Sequence, residues 1–181
     1  MVEHDEKRRM LLAIAREAIG GQDEPVTPGE WPDDWLRRCA ATFVTLRIQG
    51  ELRGCIGTLE ARRPLGDDVA HNAHAAAYRD PRFPPLARDD RPKITVEVSV
   101  LSQRVRIEAP SEDEAIARLQ PGVDGVVVEY QDLRATFLPQ VWESIPEPFE
   151  FLRELRRKAG LPERFWHDDL RLWRYSVEKY W

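Results

Sequence analysis

The 181-residue chain is 42% hydrophobic and 33% charged, which fits a folded globular protein and argues against overall disorder. Its formal charge of −5 offers no basic stripe for a phosphate backbone, so nucleic acid is not expected as a partner. With 2 cysteines, Cys39 and Cys55, there is no disulfide scaffold and no C-x-x-C zinc pair.

The first residues, 1–9, are mixed in charge. The apolar stretch after them is too short and broken for a signal peptide or a spanning helix, which predicts a cytoplasmic protein with no membrane role. Met10, Leu11, Ile14, Ala15, Ala18 and Ile19 recur at helical spacing and stop at Gly20-Gly21, so the first element is an amphipathic helix. Residues 22–33, with Pro25, Pro28 and Pro32, read as an irregular connection. Cys39, after a short helical stretch, reads as packing. Val44, Leu46 and Ile48 then alternate with Phe43, Thr45 and Arg47, which is strand periodicity, and Gln49-Gly50 resembles a two-residue hairpin turn.

That turn would pair Ile48 with Glu51, Leu46 with Arg53 and Val44 with Cys55. The return strand, Leu52-Arg53-Gly54-Cys55-Ile56-Gly57, then sets an arginine and a thiol on one face. Gly57 continues that face without a side chain, which predicts a hollow beside the sulfur on the apolar side of the first strand. A one-residue change in register would reverse the facing.

Residues 64–79 read as an alanine-rich helix ending at Asp80-Pro81-Arg82-Phe83-Pro84-Pro85, a loop stiffened by its prolines. Ile94, Val96, Val98 and Val100 alternate with Thr95, Glu97 and Ser99 in the cleanest strand of the chain. Ser111 to Glu114 fits a capping box, and a buried strand is expected at Val126-Val127-Val128. Strands are read over 133–141 and, as one final element, over 170–181; between them a helix spans 149–159, closed by Gly160. Strands and helices mix without regular β-α-β spacing, so the fold class is α+β with a mixed, mainly antiparallel sheet and flanking helices.

The ordered set Thr42-Phe43-Val44-Thr45-Leu46, Leu52 to Gly57, Asp80-Pro81-Arg82-Phe83, Val98-Ser99-Val100-Leu101-Ser102, Phe137-Leu138-Pro139-Gln140-Val141 and Lys158-Ala159-Gly160-Leu161 resembles the AMMECR family. The resemblance spans most of the chain. It implies one domain over 1–181 with a larger and a smaller lobe, and puts the Arg53–Gly57 strand near the cleft between them. It also implies likeness to protein A of the AmmeMemoRadiSam set, with radical-SAM-like and Memo-like proteins as partners. It supplies no reaction and no cofactor.

Each candidate residue has two readings. Cys55 is either a core thiol or a nucleophile whose thiolate Arg53 favours. Arg53 either holds a small anionic ligand or pairs with Glu97 or Asp80. Gly54 and Gly57 either admit a ligand or relieve crowding beneath a helix. Asp80 and Arg82 are either presented to a ligand by their stiff loop or belong to an ordinary turn. Glu97, a candidate proton carrier, and Ser99 share the second face of their strand and either line a cleft or meet solvent. His71 and His74, three apart on the helix, read as a surface face, and Asp67-Asp68 as a solvated helix start. Trp31, Trp35, Trp166 and Trp181 either anchor a partner or cap core edges. Two functions of different class follow: a binding module for a small anion or a partner protein, and a thiol-dependent enzyme or enzyme component.

Overall fold

The computed structural model describes residues 2–21 and 30–181, so the connection read over 22–33 falls outside the described residues except at its end. Helix α1 (Val2–Gly20) and the short α2 (Asp34–Arg37) precede β1 (Cys39–Ile48), β2 (Glu51–Gly57), β3 (Arg63–Pro64), α3 (Leu65–Tyr78) and β4 (Ile94–Leu101). After these come β5 (Val105–Arg106), α4 (Glu112–Arg118), β6 (Gly125–Tyr130), β7 (Leu133–Phe137), α5 (Pro148–Lys158), β8 (Arg171–Tyr175) and β9 (Val177–Tyr180). The chain divides into two units, Met1–Leu101 with Glu178–Trp181, and Ser102–Val177. The fold is α+β.

In the first unit the strands lie in the order β2-β1-β4-β9, with β3 also on β1; β1 pairs antiparallel with β2, β3 and β4. Alternation makes one face apolar. Val44, Leu46, Val96 and Val98 are buried there with Leu11, Ala15, Ala18 and Ile19 of α1 and Val69, Ala70, Ala73 and Ala76 of α3. Each fully buried Leu, Ile or Val contributes roughly 1.5–3 kcal/mol. Alanines on α3 let its backbone approach the sheet.

The second unit orders its strands β5-β8-β6-β7, every pair antiparallel. Val126, Val128 and Leu172 are buried with Phe151, Leu152 and Leu155 of α5, and the Trp142 ring stacks on Phe151 at 3.7 Å. Ser111 caps α4 by accepting the Glu114 N–H, one half of the capping box read there, while the Glu114 carboxylate accepts from Arg118. Gly160, at φ +83°, closes α5, and the Leu161 N–H returns to the Arg156 carbonyl. Arg156 is fully buried; one amino group lies 2.6 Å from Glu112 and the other donates to the Phe165 carbonyl.

Two strand readings change. The strand read over 133–141 stops at Phe137, and Pro139–Glu143 forms a 3-10 turn, because Pro139 lacks the N–H a ladder needs. The final strand read over 170–181 is two. It breaks at Ser176, where Ser102 and Ser176 exchange hydrogen bonds, so β8 joins one sheet and β9 the other. Unbroken alternation carries no mark of such a change of sheet. Cys39 starts β1 exposed rather than packed.

Candidate functional site

The candidate ligand-binding and catalytic residues, Arg53, Gly54, Cys55, Gly57, Asp80, Arg82, Glu97 and Ser99, lie in the first unit, most of them on or beside β2, whereas Trp166 lies in the second. Gln49 and Gly50 have φ of 53° and 87°, the two left-handed positions of a type I′ turn, and Ile48 does face Glu51. The pairing then shifts. Arg47 faces Leu52 and Leu46 faces Gly54, so Arg53 is an extra residue in a β-bulge. Cys55 consequently faces Thr45, not Val44, and looks away from the apolar face. The expectation of a hollow on the apolar side is therefore overturned.

The bulge also settles what the glycines accommodate. Gly54 faces α3, where a Cβ would sit 2.0 Å from the Ala76 carbonyl oxygen, so its role is to admit the helix backbone. Gly57 is on the Cys55 side, but its Cβ would sit 2.2 Å from the Phe43 ring, which fills the space expected beside the sulfur.

The Asp80 loop closes the free edge of β2. The Asp80 side chain is 2% exposed. Its Oδ2 accepts the Cys55 N–H at 2.9 Å and the Arg82 Nη2 at 2.7 Å, and its Oδ1 accepts the Arg82 N–H at 3.1 Å and Nε at 2.9 Å. Arg82 Nη2 also donates to the Cys55 carbonyl at 3.1 Å. Carboxylate and guanidinium together thus supply the two hydrogen bonds a neighbouring strand would give at this position. Hydrogen bonds from the Arg82 side chain, against the opposing effect of burial, hold the Asp80 carboxyl far below the usual carboxylate range; the Cys55 and Arg82 amides add to them. Asp80 pairs with Arg82, not with Arg53.

With its amide and carbonyl turned to this loop, Cys55 forms a non-hydrogen-bonded pair with Thr45, the kind in which side chains come closest. Thr45 Oγ1 lies 3.4 Å from the Cys55 sulfur, and the thiol is half-buried. Arg53 reaches along the same loop. Its Nη2 donates to the Pro84 carbonyl at 2.7 Å, while Nη1 is buried and finds no hydrogen-bond partner among the described residues. The Arg53 and Arg82 guanidinium carbons lie 5.8 and 5.6 Å from the Phe83 ring centroid. Two cations share one aromatic ring, with the Asp80 carboxylate between the loop and the strand.

Glu97 faces Thr45 on β4, so Cys55, Thr45 and Glu97 form one cross-strand row, with Cys55 and Glu97 two strands apart, about 10 Å. The Glu97 carboxylate lies 3.6 Å from Lys179. Ser99, buried, faces Phe43 in the next row. The structure therefore gathers Arg53, Cys55, Asp80 and Arg82, sets Glu97 and Ser99 on the same sheet face, and assigns Gly54 to the opposite one.

Sequence reasoning missed a buried polar cluster. Asp68 is 1% exposed, and its Oδ2 accepts the Thr42 N–H and hydroxyl, the Thr58 hydroxyl and the Asn72 amide at 2.8–3.0 Å. It pins α3 to β1 instead of meeting solvent, whereas Asp67 accepts the Trp31 indole N–H. The i,i+4 pair of Asp68 and Asn72 on an otherwise apolar helix face was the available signal. His74 is likewise buried, its ring 4.9 Å from Tyr78, and not on the surface as read. Burial, with the Arg63 charge next in importance, pushes His71 below its ordinary value. Among the described residues no three His, Cys, Asp or Glu side chains are grouped to hold a metal ion, and no helix is long and apolar enough to cross a membrane.

An antiparallel sheet backed by two helices, with an LRGCIG edge strand sealed by a D-P-R-F loop, defines a class of small α+β domain. The AMMECR1 family model matches residues 12–180, and the chain belongs to that family. A Thermotoga maritima protein is 40% identical over 151 residues, covering 82% of each chain. A Methanothermobacter thermautotrophicus protein is 39% identical over 180 residues, covering 94% of this chain and 91% of the relative. The crystal structure of an uncharacterized protein from Pyrococcus horikoshii superposes with a TM-score of 0.74 at 32% identity, covering 94% of this chain and 87% of that one.

Proposed function

We propose that this chain is a binding module that takes a small anionic ligand beside Cys55, with the Arg53 and Arg82 guanidinium groups as its positive anchors. The observation that carries this reading is the buried Arg53 Nη1 that finds no hydrogen-bond partner among the described residues, on the strand that also carries Cys55, whose backbone is held from both sides. A buried charged donor without a partner is costly, and an anion's oxygen would relieve that cost. Arg82 remains 53% exposed while bound to Asp80, so it can also meet a ligand.

Alkylation tests the local charge directly. At low ionic strength, anionic iodoacetate should be favoured over neutral iodoacetamide several-fold more at Cys55 than at exposed Cys39, which serves as the reference in the same molecule. Arg53→Gln should remove that preference, and inorganic phosphate should slow alkylation of Cys55 alone. Equal preferences at both cysteines in the parent protein, with no protection by phosphate, would overturn the proposal.

A further inference from the structure

Resting on that reading of the Cys55 site, we propose that Thr45 is a positioning residue for the sulfur, donating its hydroxyl hydrogen to Sγ and favouring the thiolate. The Thr45 hydroxyl lies 3.4 Å from Sγ, across the close pair of two antiparallel strands. Both ends of this contact are fixed. Threonine is stiff about χ1 because it branches at Cβ. The Cys55 backbone is gripped at its N–H by Asp80 and at its carbonyl by Arg82. An ionised sulfur only accepts hydrogen bonds, whereas a hydroxyl can give one by rotating about its C–O bond, so ionisation needs no heavy-atom movement. A hydrogen bond to the charged form favours that form.

The charged groups around this pair act differently. Arg53 lies on the same strand, Arg82 and Asp80 come from the loop, and Arg47 stands two residues along β1. Glu97, with its partner Lys179, faces Thr45 from β4. These charges act on the sulfur only through Coulomb forces, which salt weakens. Thr45 acts through one short directed bond that salt leaves intact. Thiolate chemistry at Cys55 therefore has a salt-sensitive contribution from charge and a salt-insensitive one from Thr45.

The test is the pH dependence of Cys55 alkylation by iodoacetamide, followed by peptide mass mapping with Cys39 as reference. Thr45→Val keeps the side-chain shape and should raise the apparent Cys55 midpoint by about half a unit or more, slowing alkylation near neutrality about threefold. The increase should persist at high salt. Thr45→Ser should restore the parent midpoint, and Thr45→Ala provides a second removal if the valine variant does not fold. A midpoint in Thr45→Val or Thr45→Ala equal to or below that of the parent overturns the inference. The two proposals fail separately: an iodoacetate preference in the parent no greater at Cys55 than at Cys39, with no protection by phosphate, overturns the anion-binding reading, and an unmoved iodoacetamide midpoint overturns the role of Thr45.

Discussion

Gly54→Ala separates a glycine that admits a helix from one that admits a ligand. The added Cβ would lie 2.0 Å from the Ala76 carbonyl oxygen and 2.9 Å from its carbon. Carbon atoms approach oxygen comfortably at roughly 3.4 Å, so α3 must retreat by about 1.4 Å, because a helix backbone cannot swing aside as a side chain does. The retreat opens the interface around Val69, Ala70, Ala73 and Ala77, none more than 2% exposed. A gap of even 0.5–1 Å forfeits about a quarter to a half of each contact. Overpacking alone costs about 1–3 kcal/mol, and with the lost contacts we expect a destabilisation of about 3 kcal/mol or more. Urea unfolding followed by tryptophan fluorescence should show the midpoint falling by about 1.5 M for a slope near 2 kcal/mol/M. Gly20→Ala is the control, since nothing lies within 4 Å of its Cβ position; it should be neutral or slightly stabilising. A Gly54→Ala protein within about 1 kcal/mol of the parent would refute the packing argument.

Asp80→Asn should cost about 2–3 kcal/mol near neutral pH by removing charge-assisted bonds to Arg82 and Cys55. The Asp80 carboxyl is held below its unfolded value near 3.9, so its contribution is complete above about pH 5 and drains away as pH falls through the folded value. The stability gap between parent and variant should therefore shrink steadily in acid, and a gap that stays constant down to about pH 2 would contradict this. In the second unit, Glu112→Ala leaves the fully buried Arg156 without its carboxylate and should cost about 3 kcal/mol in chemical unfolding. Adding Arg156→Met should recover part of that loss; a double variant less stable than Glu112→Ala alone would show that the guanidinium is held chiefly by its bond to the Phe165 carbonyl.

The elements with one clear period were legible in the sequence. The stripe Leu11, Ile14, Ala15, Ala18 and Ile19, the alternation through β4 and the alanine-rich helix before Asp80-Pro81 all report local geometry, and each is found close to its expected bounds. The family was legible for the same reason, since its motifs are short and contiguous. The Gln49-Gly50 turn even set the first pair of the hairpin correctly. What lay beyond reach was the single inserted residue at Arg53. A bulge leaves composition and local pattern unchanged, yet moves every later side chain of β2 to the other face, which turned Cys55 from Val44 to Thr45 and Gly54 toward Ala76. The burial of Asp68 and Asp80 was equally hidden, because a carboxylate enters an interior only when donors distant in sequence converge on it. Thr42 and Thr58 do so for Asp68, beside the local donor Asn72, and Cys55 does so for Asp80, beside the local donor Arg82. Local periodicity thus determined the helices, strands and family, while cross-strand register and converging donors, which exist only in three dimensions, decided which side chains meet around Cys55.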